Sequence, residues 1–187
     1  MAPYLFPPTP EKLVIEKFCQ IEHGVRIITS SANHNMNGFS IFPFHNFMMT
    51  PETTPEEIEA MFKFPGQKGY TIIGNDAWIG MEAIIMPGVT IGDGAIIGAC
   101  SVVVNHVELY TIVGGNLANV IKKRFQEKDI KALLELKWRN CEVEKIEQNL
   151  DVFLSTNIEK LQKHSLTIGM SNDKNFFIHH ITRNTFY

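Results

Sequence analysis

The chain has 187 residues, 44% of them hydrophobic, and a formal net charge of −3. That composition supports one domain with its own core and excludes a broad basic surface for nucleic acid. Cys19, Cys100 and Cys141 form no CxxC pair and no even framework, which fits a reducing cytoplasmic setting.

The opening MAPYLFPPTP has neither the basic nor the apolar region of a secretory signal. No later apolar stretch is long and unbroken enough to span a bilayer, so no membrane partner is expected. From Ile15 a six-residue pattern begins: IEKFCQ, IEHGVR, IITSSA, with Ile15, Ile21 and Ile27 leading and Cys19, Val25 and Ser31 in fifth place. The period then breaks over about residues 33–70, a stretch holding Pro43, Pro51, Pro55 and Pro65 among several Phe and Met residues. Long loops in compact domains are usually functional or disordered, and the Phe and Met content favours function.

His34 lies at the start of that loop, in SSANHNMNG. Imidazole chemistry suits a general base near neutral pH. From position alone, a polar loop histidine with no role is the favoured reading of His34. The other histidines carry less: no two of them repeat along one edge as a zinc site would require, so no metal is expected.

From Ile73 the pattern returns as IGNDAW, IGMEAI, IMPGVT, IGDGAI, IGACSV, VVNHVE. The first place holds Ile73, Ile79, Ile85, Ile91, Ile97 and Val103; the fifth holds Ala77, Ala83, Val89, Ala95, Ser101 and Val107. Six matches neither helical nor strand periodicity, but it does match a short strand plus a corner. Three such units close one triangular coil, with the aliphatic and the small residue both inward. Gly or Asn/Asp after the aliphatic is expected to relieve the corner by adopting unusual backbone angles. The predicted fold is a parallel β-helix of hexapeptide repeats.

Trp78, after Asn75-Asp76, places a large flat ring on this frame, as a ligand platform or an interface anchor. The period ends at Gly114-Gly115-Asn116. Lys122-Lys123-Arg124 follows, a cluster able to hold phosphate, or simply a solvated helix start. Helical spacing comes next: Ile130, Leu133, Leu134 and Trp138 on one face, and Ile146, Leu150, Phe153 and Leu154 on another, predict two amphipathic helices. The stretch from about Leu166 to Tyr187 has no clear period; its aromatics suggest docking. The expected division is a prism domain over 1–125 and helices with a tail over 126–187.

TIIGNDAWIGMEAIIMPGVTIGDGAIIGACSVVV followed by YTIVGGNLANVIKKRF resembles the xenobiotic acetyltransferases, enzymes of hexapeptide repeats with a left-handed β-helix. Upstream, KLVIEKFCQIEHGVRIITSSANHNMNGFSIFPFHNF is most similar to the streptogramin A (virginiamycin) acetyltransferase branch and less so to the type B chloramphenicol acetyltransferases. The resemblance covers roughly Lys12 to Phe125. It implies a homotrimer with active sites between subunits, acetyl-CoA along a prism edge, and a small hydroxyl-bearing acceptor under the loop. It implies His34 as catalytic base. Trp78, Gly98, Ala99, Ser101, Asn116, Lys122 and Lys123 fall to the CoA side, and Asn33, Met36 and Phe44 to the acceptor side. The implied reaction is direct acetyl transfer to a hydroxyl of a streptogramin-like antibiotic or other xenobiotic. The alternatives are a sugar or cell-surface O-acetyltransferase, or a non-catalytic truncated trimeric relative. The chain departs from the family at Glu16, where Gly is preferred, and at Ile41, where a polar residue stands in the TYPF-like segment. Leu117 replaces the Pro of GGNPA, Asn119 a basic residue, and Asn105-His106 a common Lys-Asp.

Overall fold

The computed structural model describes residues 13–29, 39–42, 44, 50, 52–57 and 69–168. The sixfold pattern becomes strands of two or three residues: β1 (Leu13–Ile15), β2 (Gln20–Ile21), β3 (Arg26–Ile27), β4 (Thr71–Ile73), β5 (Trp78–Ile79), β6 (Ile84–Ile85), β7 (Thr90–Ile91), β8 (Ile96–Ile97) and β9 (Val102–Val103). β10 (Thr111–Gly114) and β11 (Asn119–Lys123) follow. The strands sort into three walls of a prism: β1-β4-β7, then β2-β5-β8-β10 extended by β11, then β3-β6-β9. All pairings are parallel except β10 with β11, a hairpin that closes the second wall.

Strand register measures the coils. Ile85 pairs with Val103, an offset of 18 residues, or three hexads per turn. Ile27 pairs with Ile85, an offset of 58, so the first turn carries 40 extra residues. They leave after β3 and return before β4, on the edge between the third and first walls.

The core follows the pattern. Ile73, Ile79, Ile85, Ile91, Ile97 and Val103 are at most 1% exposed, and the fifth-place residues Ala77, Ala83, Val89, Ala95 and Ser101 at most 2%. Buried aliphatic stacks of this kind supply the main stabilisation of a solenoid, where each coil contacts only its neighbours. The three buried polar side chains among the described residues are all hydrogen-bonded. Thr71 Oγ1 accepts from Gly88 N–H, Ser101 Oγ accepts from Gly115 N–H, and Thr111 Oγ1 donates to Leu109 O.

Two expectations need correction. The first concerns the glycines after the aliphatics. Gly74, Gly80 and Gly92 do not adopt left-handed angles; a Cβ on any of them would lie within 2.6–2.7 Å of atoms in the next coil. The corner itself turns two residues later, where Asp76, Glu82, Gly88, Gly94 and Cys100 have φ of 56–72°. Glycine is there for close approach of the coils, and the left-handed corner accepts other residues.

The second concerns the last hexad, VVNHVE. Val107 pairs with Ile91, an offset of only 16, and Val113 pairs with Ile97 at the same offset. The final turn has lost two residues between Val103 and Val107. Val107 therefore occupies the leading place of its coil, and the fifth place on the next wall passes to the buried Thr111.

Beyond the prism lie α1 (Glu127–Leu136), a 3-10 turn at Trp138–Asn140, α2 (Val143–Glu147), α3 (Leu150–Phe153) and α4 (Ile158–Ile168). Glu127 and Asp129 favour the start of α1, and Lys137 in a left-handed conformation ends it. The second expected helix is split into α2 and α3. Asn149 Nδ2 donates to the Lys145 carbonyl, which an unbroken helix would use for the Asn149 amide. α4 was not expected; its start is marked by Asn157, whose Oδ1 accepts from Lys160 N–H as a helix cap. Trp138 stacks on Phe18 at 5.4 Å and meets Phe153 edge-on at 5.8 Å, while Arg139 pairs with Asp93 at 3.2 Å. These contacts seat the helical segment on the edge between the first and second walls.

Candidate active site

Three prism edges have three different occupants. On the first–second edge, carbonyls of Lys17, Asn75 and Asp93 accept from the amides of Asp76, Gly94 and Tyr110, stacking four corners in a column. Arg124 closes this edge. Its Nη1 donates to Asp76 Oδ2 at 3.1 Å and to Gly94 O at 2.7 Å, and its guanidinium lies 5.7 Å from the Tyr110 ring and 5.2 Å from that of Phe125. This arginine is committed to structure.

Burial lifts the Asp76 carboxyl above the usual aspartate range, against the opposing pull of Arg124. A carboxyl with a raised folded pKa contributes stability that is present in acid and lost as pH rises through that pKa. Asp76→Asn removes this loss while keeping an acceptor for Arg124. The variant is expected to gain stability relative to the parent as pH climbs from about 4, the unfolded aspartate value. Urea midpoints measured across that range test it; a difference that shrinks with rising pH would mean the Arg124 attraction outweighs burial.

Of the residues expected on the CoA side, Gly98, Ala99 and Asn116 lie on the second–third edge. Gly98 and Ala99 form its third-coil corner, and Asn116 its last, bridged to Val102. Ala99 and Asn116 are exposed. On the adjoining second wall the outward ladder runs Gln20, Trp78, Ile96, Ile112, Lys122 in register. Trp78 is 46% exposed. Ser101 points the other way: its side chain is sealed in the prism on Gly115 N–H, and only its backbone belongs to the edge. Lys123 is held by Glu127 and by Glu108 at 3.5 Å. Of the three clustered cations, Lys122 alone has no ion-pair partner among the described residues. The hairpin also exposes Leu117, Val120 and Ile121, an apolar neighbour to Lys122 that the sequence pattern did not mark.

The third–first edge carries the 40-residue insertion. His34, Asn33 and Met36 lie outside the described residues. Phe44 is described and 57% exposed, its ring edge-on to Phe42 at 4.9 Å. Phe39, Ile41 and Phe42 are likewise exposed, which makes this described part of the insertion apolar at its surface. Within one chain, then, Gly98, Ala99 and Asn116 occupy a different edge from the root of the insertion. Among the described residues no three His, Cys, Asp or Glu side chains gather as metal ligands, and no helix is long and apolar enough to cross a membrane.

Residues 70–105 match the bacterial transferase hexapeptide family of six repeats. The chain is 48% identical over 145 residues to a probable macrolide acetyltransferase of Lysinibacillus sphaericus, covering 78% of each chain. It is 45% identical over 172 residues to a chloramphenicol acetyltransferase of Klebsiella aerogenes, covering 90% of this chain and 80% of the relative. It is 42% identical over 153 residues to a virginiamycin A acetyltransferase of Staphylococcus aureus, covering 82% and 68%. These similarities do not single out the virginiamycin branch over the chloramphenicol one.

Proposed function

The chain belongs to the xenobiotic acetyltransferases, hexapeptide-repeat acyltransferases, and on that premise we propose that it moves acetyl from acetyl-CoA to a hydroxyl of a streptogramin-like antibiotic or other hydrophobic xenobiotic. His34 takes the hydroxyl proton as the acceptor oxygen bonds to the acetyl carbon. The thioester C–S bond breaks, and the departing sulfur takes the proton back from His34 and leaves as the CoA thiol. Backbone N–H groups of a neighbouring coil hold the transient oxyanion. Holding both substrates in one cleft supplies much of the remaining acceleration.

The observation that carries this reading is the likeness to three relatives named for antibiotics, which spans prism and insertion together. The exposed Phe39, Phe42 and Phe44 support an apolar acceptor over a sugar, which would call for a polar lining. For the donor, Lys122 offers an ammonium with no ion-pair partner among the described residues, Trp78 a partly exposed flat ring, and Gly98 and Ala99 a rim with no long side chains. The separation of this rim from the insertion's root favours a site completed by a second subunit, as a cytoplasmic homotrimer of left-handed prisms would provide. Residues 1–125 would form that catalytic prism and 126–187 its helical attachment.

The test is thiol release from acetyl-CoA with chloramphenicol, a streptogramin A, a macrolide and simple sugars as acceptors. Turnover on an antibiotic is expected. Turnover on sugars alone would replace the acceptor class. No turnover with every acceptor tried, together with failure to bind CoA, would point to a non-catalytic relative.

A further inference from the structure

The two-residue contraction of the last coil leaves a gap, and His106 fills it. In the coil above, Ile72 N–H donates to Val89 O at 3.0 Å. One coil down the equivalent amide belongs to Thr90, and the shortened turn brings it no carbonyl. It donates instead to Nδ1 of His106 at 2.9 Å. An Nδ1 that accepts leaves the ring hydrogen on Nε2 and fixes the plane of the imidazole. His106 is exposed, so Nε2–H stands at the surface as a preset donor.

That surface is concave. Gly69, Pro87, Gly88, Val89, Val104, Asn105 and His106 line a hollow of about 410 Å³ on the third–first edge. Its floor is rigid: Pro87 and Val89 are buried, and Gly88 N–H is tied to Thr71 Oγ1 at 2.9 Å. Its rim is bare at Gly69, where an added Cβ would meet nothing within 4 Å. Gly69 is also where the chain returns from the 40-residue insertion, so the hollow adjoins the segment assigned above to the acceptor and lies on a different edge from Gly98, Ala99 and Asn116.

We propose that this hollow is a subsite for the acceptor molecule, in which Nε2–H of His106 holds an amide or ester carbonyl oxygen while the partly exposed Val104 takes the carbons beside it. Asn105 supplies a second polar group at the rim. The assignment rests on the acetyltransferase reading for the identity of the ligand. Pantetheine also carries amide carbonyls, so donor and acceptor binding have to be measured separately.

The experiment is calorimetric titration of the full chain with chloramphenicol, an amide-bearing probe, and separately with CoA. His106→Asp keeps an acceptor for Thr90 N–H, and so the coil, but removes the outward donor. His106→Asn keeps both. Loss of one such hydrogen bond is expected to raise the chloramphenicol Kd about five- to tenfold in His106→Asp, with His106→Asn within about twofold of the parent and the CoA Kd unchanged in both. An unchanged chloramphenicol Kd in His106→Asp, a weakened CoA Kd in its place, or no chloramphenicol binding by the parent would each overturn the subsite. Binding is read without turnover, so chloramphenicol held but never acetylated would sink the transfer reading and leave the subsite standing.

Discussion

His34→Ala is expected to lower kcat for acetyl transfer by about 10²–10⁴-fold, the usual contribution of a positioned general base. A hydroxyl is a poor nucleophile until its proton has somewhere to go, and the thioester offers no base of its own. The loss belongs in kcat because the proton moves only as the C–O bond forms, so the CoA Kd should stay near the parent value. The pH dependence gives a second readout. A histidine base works only when unprotonated, so the parent rate should rise with pH along an acid limb that the alanine variant lacks. A variant that turns over at more than a tenth of the parent rate, with the acid limb intact, would remove His34 from the base role and return it to a polar loop residue.

The prism was legible because each hexad commits two inward positions, and burial enforces both. Ile73 through Val103 therefore appear in the structure at the places the period gives them. The same rule hid the contraction of the last coil. Val107 satisfies the fifth place of one hexad and the leading place of a shortened one, and both face inward, so hydrophobicity cannot tell them apart. Only pairing with Ile91 does so. The helices were half legible for a related reason: apolar spacing marks α1, whereas the break at Asn149 and the start at Asn157 depend on single side-chain hydrogen bonds to backbone. At the candidate site, residue type was read more reliably than direction. Lys122, Lys123 and Arg124 form one basic run in sequence, yet the hairpin turns Lys123 to two glutamates and Arg124 to Asp76, and leaves Lys122 outward.

Gly92→Ala is expected to destabilise the fold by about 3 kcal/mol, the upper range for overpacking a close contact, and to lower Tm by about 10 °C. Gly98→Ala is expected to stay within about 0.5 kcal/mol of the parent. Both glycines hold the second place of a hexad and follow a buried isoleucine, and neither has a left-handed φ, so strain from backbone angles cancels from the comparison. What differs is the next coil. A Cβ on Gly92 would lie 2.6 Å from Leu109 N, 2.8 Å from Glu108 C and 2.9 Å from Leu109 Cα, all main-chain atoms that cannot swing aside. They also belong to the coil shortened by two residues, which has no slack to give. A Cβ on Gly98 would meet Ser101 Oγ and Val113 O at 3.4 Å, ordinary contact. Thermal unfolding of the two variants beside the parent decides the matter. Equal losses would mean that glycine serves the second place through chain flexibility. A loss confined to Gly92 would show that its missing Cβ lets the shortened coil, and with it the bond from Thr90 to His106, close against the rest of the prism.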